Sequence, residues 1–311
     1  MAPPRAPLAA IVGPTASGKT DLALALARRL PVEIVVADSR QVYRGMDVGT
    51  AKPDADARAA VPHHLLDLVD PDQPITVHSW VTRARAVVPQ IAGRGRVPLL
   101  VGGTGLYVSA LVDGYRLAAG PASPQLRREL AAALEAEGLD AMVARLGDLD
   151  PEAAALTDPR NPRRVLRALE RAAVASGSTS PAAEPWAGRL ALLGLSRPAD
   201  VLRQRIAERT AAMFAGGLLD EARQILAAGY DPALAPLSGH GYREAIAVVT
   251  GEWPLERAIE TTERHTRQYA KRQMTWFRRD PRIVWLTAGD RPADEPALVA
   301  RAEELLRALL A

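Results

Sequence analysis

The stretch GPTASGKT, Gly13 to Thr20, satisfies all four fixed positions of G-x-x-x-x-G-K-[ST]. In that pattern main-chain N–H groups surround an anion at a helix N-terminus, the lysine adds a compact positive charge, and the last hydroxyl faces a metal. Gly13, Pro14, Thr15, Ala16, Ser17, Gly18, Lys19 and Thr20 are therefore a candidate phosphate cradle, with Lys19 as its point charge and Thr20 as its metal-side hydroxyl. The pattern leaves open whose phosphate is held, because ATP, GTP and other diphosphates present the same oxygens.

Other residues fit chemistry at the same place. VEIVVADSRQVY is an apolar run ending in Asp38, which suits a carboxylate that holds Mg²⁺ or one that takes a proton from an arriving amine or hydroxyl. An Asp there could also cap a following helix. LLVGGTGLYVSAL ends another apolar run in Gly102, Gly103, Thr104 and Gly105, where glycines admit a close ligand and Thr104 offers a neutral donor. His63 and His64 are adjacent, a spacing that does not put two imidazoles on one helix face for a metal. Arg160, Arg163, Arg164, Arg167 and Arg171 recur at helical spacing, and Arg264, Arg267, Lys271, Arg272, Arg278 and Arg279 do so near the end, interleaved with His265, Tyr269, Trp276 and Phe277. Two basic surfaces with aromatics nearby suit a folded nucleic acid.

These residues need strand tips and helix starts to hold them. Apolar runs at 8–12, 32–37, 65–69 and 97–101 read as buried strands, with helices at 19–30 and 79–92 between them. That alternation predicts an α/β fold: a P-loop NTPase-like, doubly wound parallel sheet with its crevice at the carboxyl ends of the strands. Residues 115–188 read as a helical insertion, and the catalytic core comprises 1–114 and 189–311. In the second part of the core a strand is expected at 189–198 and another at 283–286. Helices are expected around 242–250, 255–279 and 295–310.

Composition narrows the class. The 311 residues allow about two domains, or one core with an elaborated insertion. There is no Cys, which removes disulfides, thiolate zinc sites and a cysteine nucleophile. No apolar run approaches the ~20 residues that span a bilayer, and the N-terminal segment runs straight into the cradle, so a cytoplasmic, non-membrane protein is expected. The formal charge is only +3, with lysine at positions 19, 52 and 271 alone, so the placement of arginine carries more than its abundance.

Taken together, GPTASGKT, ADSRQVYRGMDVGTAKP, HHLLD, VGGTGLY, NPRRVLRALE, GYREA and RQYAKRQMTWFR resemble the tRNA dimethylallyltransferase (tRNA isopentenyltransferase) family over most of the chain. The resemblance implies an enzyme, a prenyltransferase that modifies the adenosine immediately 3′ of the anticodon, with the cradle holding dimethylallyl diphosphate and Mg²⁺ as cofactor. It implies Asp38 as general base, with Ser39, Arg40 and Gln41 at the flipped adenine, and Thr104 near the reacting amine. Arg209 is the implied diphosphate-side arginine, with Arg205 one turn earlier as the other candidate. The implied tRNA-facing positions are Arg127, then Arg163, Arg164, Val165, Leu166 and Arg167, then Ser238 to Arg243, including His240, Gly241 and Tyr242. The partners would be the anticodon stem-loop and the diphosphate, met by a monomer. A P-loop kinase of small molecules, prenyl transfer to free AMP, and a non-catalytic RNA-binding protein are the competing readings.

Overall fold

The computed structural model describes residues 6–115, 124–175 and 184–310. The chain divides into two compact units, the first made of the described parts of 1–75, 80–114 and 185–311, the second of 76–79 and 115–184.

The first unit is built on six parallel strands: β1 (Leu8–Val12), β2 (Val32–Val36), β3 (His63–His64), β4 (Val97–Gly102), β5 (Leu190–Ser196) and β6 (Val284–Thr287). Their order is β3-β2-β4-β1-β5-β6. Every residue of β1 and β2 is buried, as a parallel sheet covered on both faces requires. The doubly wound α/β sheet expected from the sequence is the fold the chain forms. The β1 chain leaves through α1 (Lys19–Ala27) towards β2 on one side, whereas the chain after β4 returns to β5 on the other. Neighbouring strands with opposed exits open a crevice at their carboxyl ends. The cradle follows β1 and the Gly102–Gly103–Thr104 turn follows β4, so both candidate loops border that crevice.

Helices α1 and α12 (Pro296–Leu310) cover one sheet face, with Leu22, Leu26, Val299 and Leu306 packed against Ile11, Ile34, Leu99 and Leu193. Each such side chain gains about 1.5–3 kcal/mol on leaving water, which makes the sheet the stiff part of the unit. On the other strands' helices, Trp80 in α3 (Val77–Gly93) stacks on Tyr107 in α4 (Gly105–Val112) at 4.5 Å between ring centroids. Its Nε1 donates to the Val36 carbonyl at 3.3 Å, next to the tip of β2.

One expected strand is absent. Residues 65–69 form a turn, with Leu65 and Asp67 at φ of 65° and 51°, and pairing is limited to His63–His64 and a bridge from Val69 to Tyr43. Charge explains it: Asp67 is drawn out of line by Lys52 Nζ at 2.6 Å and Arg58 at 2.8 Å, while its carbonyl accepts from Arg44. The short α2 (Ala55–Ala60) carries Arg58 and is capped by Asp54.

The second unit is helical. It holds α5 (Pro124–Leu149), kinked at Gly138 where φ is 83°, then α6 (Pro151–Leu156) and α7 (Pro162–Ala175). Its own core comprises Leu130, Met142, Leu146, Val165, Ala168 and Leu169. Four further helices complete the first unit: α8 (Ala199–Ala215), α9 (Leu218–Ala227), α10 (Tyr242–Val249) and α11 (Leu255–Phe277).

Candidate active site

The cradle's shape follows from its backbone. Gly18 takes φ of 95° at the N-cap of α1, and Ala16 also lies in the left-handed region, at 62°. Gly13, at φ of 145°, lies so close to β5 that a Cβ would overlap the Leu195 carbonyl. Two arginines hold the loop's carbonyls: Arg205 Nε donates to Ala16 at 3.0 Å and Arg197 Nε to Ser17 at 2.8 Å. Lys19 Nζ curls back to the Pro14 carbonyl at 2.7 Å.

A cavity of about 90 Å³ opens beside the cradle and is lined by Lys19, Thr20, Asp38, Arg209, Tyr269 and Gln273, among others. Arg209 lines the cavity and reaches the Thr50 carbonyl at 3.4 Å, whereas Arg205 is engaged with the cradle's backbone. Burial, with Arg209 close by, lowers the Lys19 ammonium to about 7, and the Asp38 carboxylate offsets only part of this. The Arg209 guanidinium is likewise pushed down by burial and held up by Asp38 and Asp21. Two desolvated cations against one lining carboxylate leave the cavity short of negative charge, which an anion would supply.

The same lining carries a carboxylate and neutral hydrogen-bonding groups. Asp38 follows β2, and its Oδ1 accepts from the main-chain N–H of Arg40 at 2.8 Å and of Gln41 at 3.3 Å. Thr104 Oγ1 accepts from Ser39 N–H at 3.0 Å and shares a hydrogen bond with Tyr269, whose hydroxyl burial raises to about 12. Ser39, Thr104 and Tyr269 are thus linked in a chain from the strand tips to α11, with Asp38 next to Ser39 in sequence. Gln41 Nε2 donates to the Thr50 and Ala51 carbonyls, and Arg40 donates to those of Ala235 and Pro236, at 2.7 and 2.6 Å.

The turn carrying Thr50 is fixed by Glu221 in α9. Its carboxylate accepts from the N–H groups of Asp47, Val48 and Gly49 at 2.7, 2.8 and 3.1 Å, and from the Tyr242 hydroxyl. Glu221→Ala removes four donors' common acceptor, so unfolding free energy should drop by about 1.5–3 kcal/mol in chemical denaturation. A loss below a few tenths would mean that water replaces the carboxylate.

Comparison with known proteins places the chain. The family model described as IPP transferase matches residues 41–280, and that described as Isopentenyl transferase matches residues 6–61. The chain belongs to the IPP transferase family. It is 47% identical to the tRNA dimethylallyltransferase of Roseiflexus castenholzii over 303 residues, 97% of each chain. It is 48% identical to that of Anaeromyxobacter dehalogenans over 306 residues, 96% of this chain and 99% of the relative. Among solved structures it is similar to the full-length tRNA isopentenylpyrophosphate transferase of Bacillus halodurans, with TM-score 0.73, 39% identity, and 98% and 97% of the two chains covered. A eukaryotic dimethylallyltransferase acting on tRNA gives TM-score 0.78 at 26% identity, covering 96% of this chain and 77% of that one.

In this IPP transferase the nucleic-acid candidates divide by exposure. Arg163, Arg164 and Arg167 are exposed on α7, and Arg127 pairs with Glu170 at 3.5 Å. Val165, also expected to face tRNA, is fully buried in the second unit's core and Leu166 packs against it; helical spacing turns the Val165 side chain inward. Tyr242, another expected tRNA-facing position, is 2% exposed and its hydroxyl donates to Glu221. Gly241 donates its N–H to Glu244 at 2.7 Å, while Arg243 is half-exposed and reaches Glu244 and His265. His240 stays neutral, its imidazole pushed down to about 4 by burial and by Arg40, and lies 5.0 Å from the Tyr269 ring. Further along α11, Lys271, Arg272 and Trp276, with Arg279 just past its end, line an open groove of about 400 Å³.

Tyr269, Gln273 and Glu221 were not singled out for the site in the sequence. A signal existed for the first two: Tyr269 and Gln273 are neutral hydrogen-bonding residues one turn apart in an arginine-rich helix, flanked by the buried Ala270 and Phe277.

Proposed function

We infer that the chain is an enzyme that transfers the dimethylallyl group of dimethylallyl diphosphate to the N6 amine of adenosine in tRNA, at the position immediately 3′ of the anticodon. The products are N6-isopentenyladenosine and diphosphate. The observation that carries this reading is a single cavity lined by two desolvated cations, Lys19 and Arg209, together with a backbone-oriented carboxylate, Asp38.

The chemistry needs both kinds of group. The bond from the allylic carbon to oxygen breaks and its electron pair goes to the diphosphate, whose charge Lys19, Arg209 and the cradle's N–H groups stabilise. The adenine N6 forms the new bond and gives up one proton. N6 is a weak nucleophile, so it must be held in line and deprotonated as it attacks, the role assigned to Asp38, with Thr104 and Tyr269 beside it. Magnesium suits the donor types: Thr20 and Asp38, which line the same cavity, would offer it a hydroxyl and a carboxylate, the hard oxygen donors this ion takes beside substrate phosphate. When bound, it neutralises charge on the diphosphate.

A stacked base cannot reach such a cavity, so the adenosine is extruded at a cost of a few kcal/mol, offset by phosphate and stacking contacts with the anticodon stem-loop. Arg40, His240, Arg243, α7 and the groove along α11 are the surfaces proposed for those contacts. Replacing Arg163, Arg164 and Arg167 together should weaken tRNA binding and reduce the slope of log K against log salt by about 2. An unchanged slope would return that helix face to ordinary surface. We further propose that the enzyme works as a monomer in the cytoplasm.

The deciding experiment incubates the protein with Mg²⁺, labelled dimethylallyl diphosphate and unmodified tRNA, alongside reactions offering AMP or ATP with a nucleoside. Label at the adenosine beside the anticodon is expected. Label in AMP alone, or transfer of the γ-phosphate of ATP, would reject this reading.

A further inference from the structure

Three separate segments meet at one side-chain amide. Gln273, on α11, is 6% exposed. Its Oε1 accepts from the N–H of Thr15 in the cradle at 2.8 Å, and its Nε2 donates to the carbonyl of Gly103 at 2.9 Å. The partners fix the amide's orientation, since an N–H must meet oxygen and a carbonyl must meet N–H. Gly103 makes the approach possible, because a Cβ there would overlap Nε2. One turn earlier on the same helix, Tyr269 hydrogen-bonds Thr104, the residue after Gly103.

The β-ladder explains why this matters. Strands β1 and β4 pair up to Val12 and Gly102, and the ladder stops there. The cradle and the glycine turn lie beyond it, and each serves one end of the reaction: the leaving diphosphate on one, the attacking amine on the other. Resting on the function proposed above, we propose that Gln273 is a positioning residue for the transfer step, which sets the spacing between the diphosphate cradle and the Thr104 turn. Without it, a half-buried N–H and a buried carbonyl lose their partners, and the two loops shift to recover hydrogen bonds elsewhere. Displacements of about 1 Å between reacting groups can cost about 10² in rate.

Two variants test this. Gln273→Met keeps the shape and removes both hydrogen bonds; kcat should fall about tenfold or more, with tRNA Kd unchanged within about twofold. Gln273→Glu supplies a signature that mere packing would not. Its ionised carboxylate can accept from Thr15 but cannot donate to Gly103, whereas its protonated form can do both. Burial favours the neutral acid, so the ratio of variant to wild-type kcat should rise as pH falls. A ratio independent of pH overturns the proposal, as does an unaltered kcat in Gln273→Met. Should Gln273→Met fail to fold, the pH profile of Gln273→Glu decides. Wild-type protein that transfers nothing to tRNA would defeat the functional reading and this proposal together, whereas wild-type transfer with a flat ratio defeats only the role of Gln273.

Discussion

Asp38→Asn should lower kcat for prenyl transfer by about 10²- to 10⁴-fold while leaving tRNA affinity within a few-fold. The asparagine is nearly isosteric and its side-chain carbonyl can still accept from the N–H groups of Arg40 and Gln41, which now orient Asp38 Oδ1. The tip of β2 therefore keeps its shape, and with it Ser39 and its bond to Thr104. What disappears is the site for the N6 proton. Single-turnover rates with preformed protein–tRNA complex isolate that step from binding. A rate within a few-fold of wild type would remove Asp38 as the base and turn attention to the Thr104–Tyr269 pair.

Lys19→Ala should weaken dimethylallyl diphosphate binding by about 10- to 100-fold, the value of one or more hydrogen bonds to a charged group. The sign of the pH effect follows from the ammonium itself. In the free protein it is lowered to about 7, chiefly by burial and then by Arg209. Bound diphosphate brings negative charge and raises it again, so above about pH 7 the complex holds a proton that the free site has lost. Affinity should therefore fall with rising pH, by up to about tenfold per unit, and binding should take up protons from the buffer. Below pH 7 both states are protonated and this dependence vanishes. Calorimetry in buffers of different ionisation enthalpy reads the proton uptake, and Lys19→Ala should abolish it. Uptake that persists in the variant would assign the titration to another group.

The parts of the molecule that the sequence discloses are those encoded locally. The apolar runs of β1, β2, β4 and β5 and the glycines of the cradle each sit within a few residues of one another, so strand, turn and helix start can be read together. Gln273 could not be found that way, because its partner Thr15 is 258 residues distant and nothing local marks the contact. The turn at 65–69 hid for a related reason: its apolar residues read as a strand, and the charges that bend it, Lys52 and Arg58, come from a preceding segment. Val165 is a different case, since Val165, Ala168 and Leu169 follow helical spacing and declare an inward face within a motif otherwise dominated by arginine. Family resemblance marks a stretch as important without saying which of its side chains face outward. Burial decides that.

The helical unit has a hydrophobic core of its own, and none of its members belongs to the cluster that α1 and α12 form with the sheet. Substitutions that repack one core need no compensation in the other. With α7 meeting the acceptor as proposed, selection can therefore reshape that surface, in length, charge or curvature, while the spacing of Lys19, Asp38 and Thr104 stays fixed. A lineage built this way can change what it modifies without relearning how to break an allylic diphosphate.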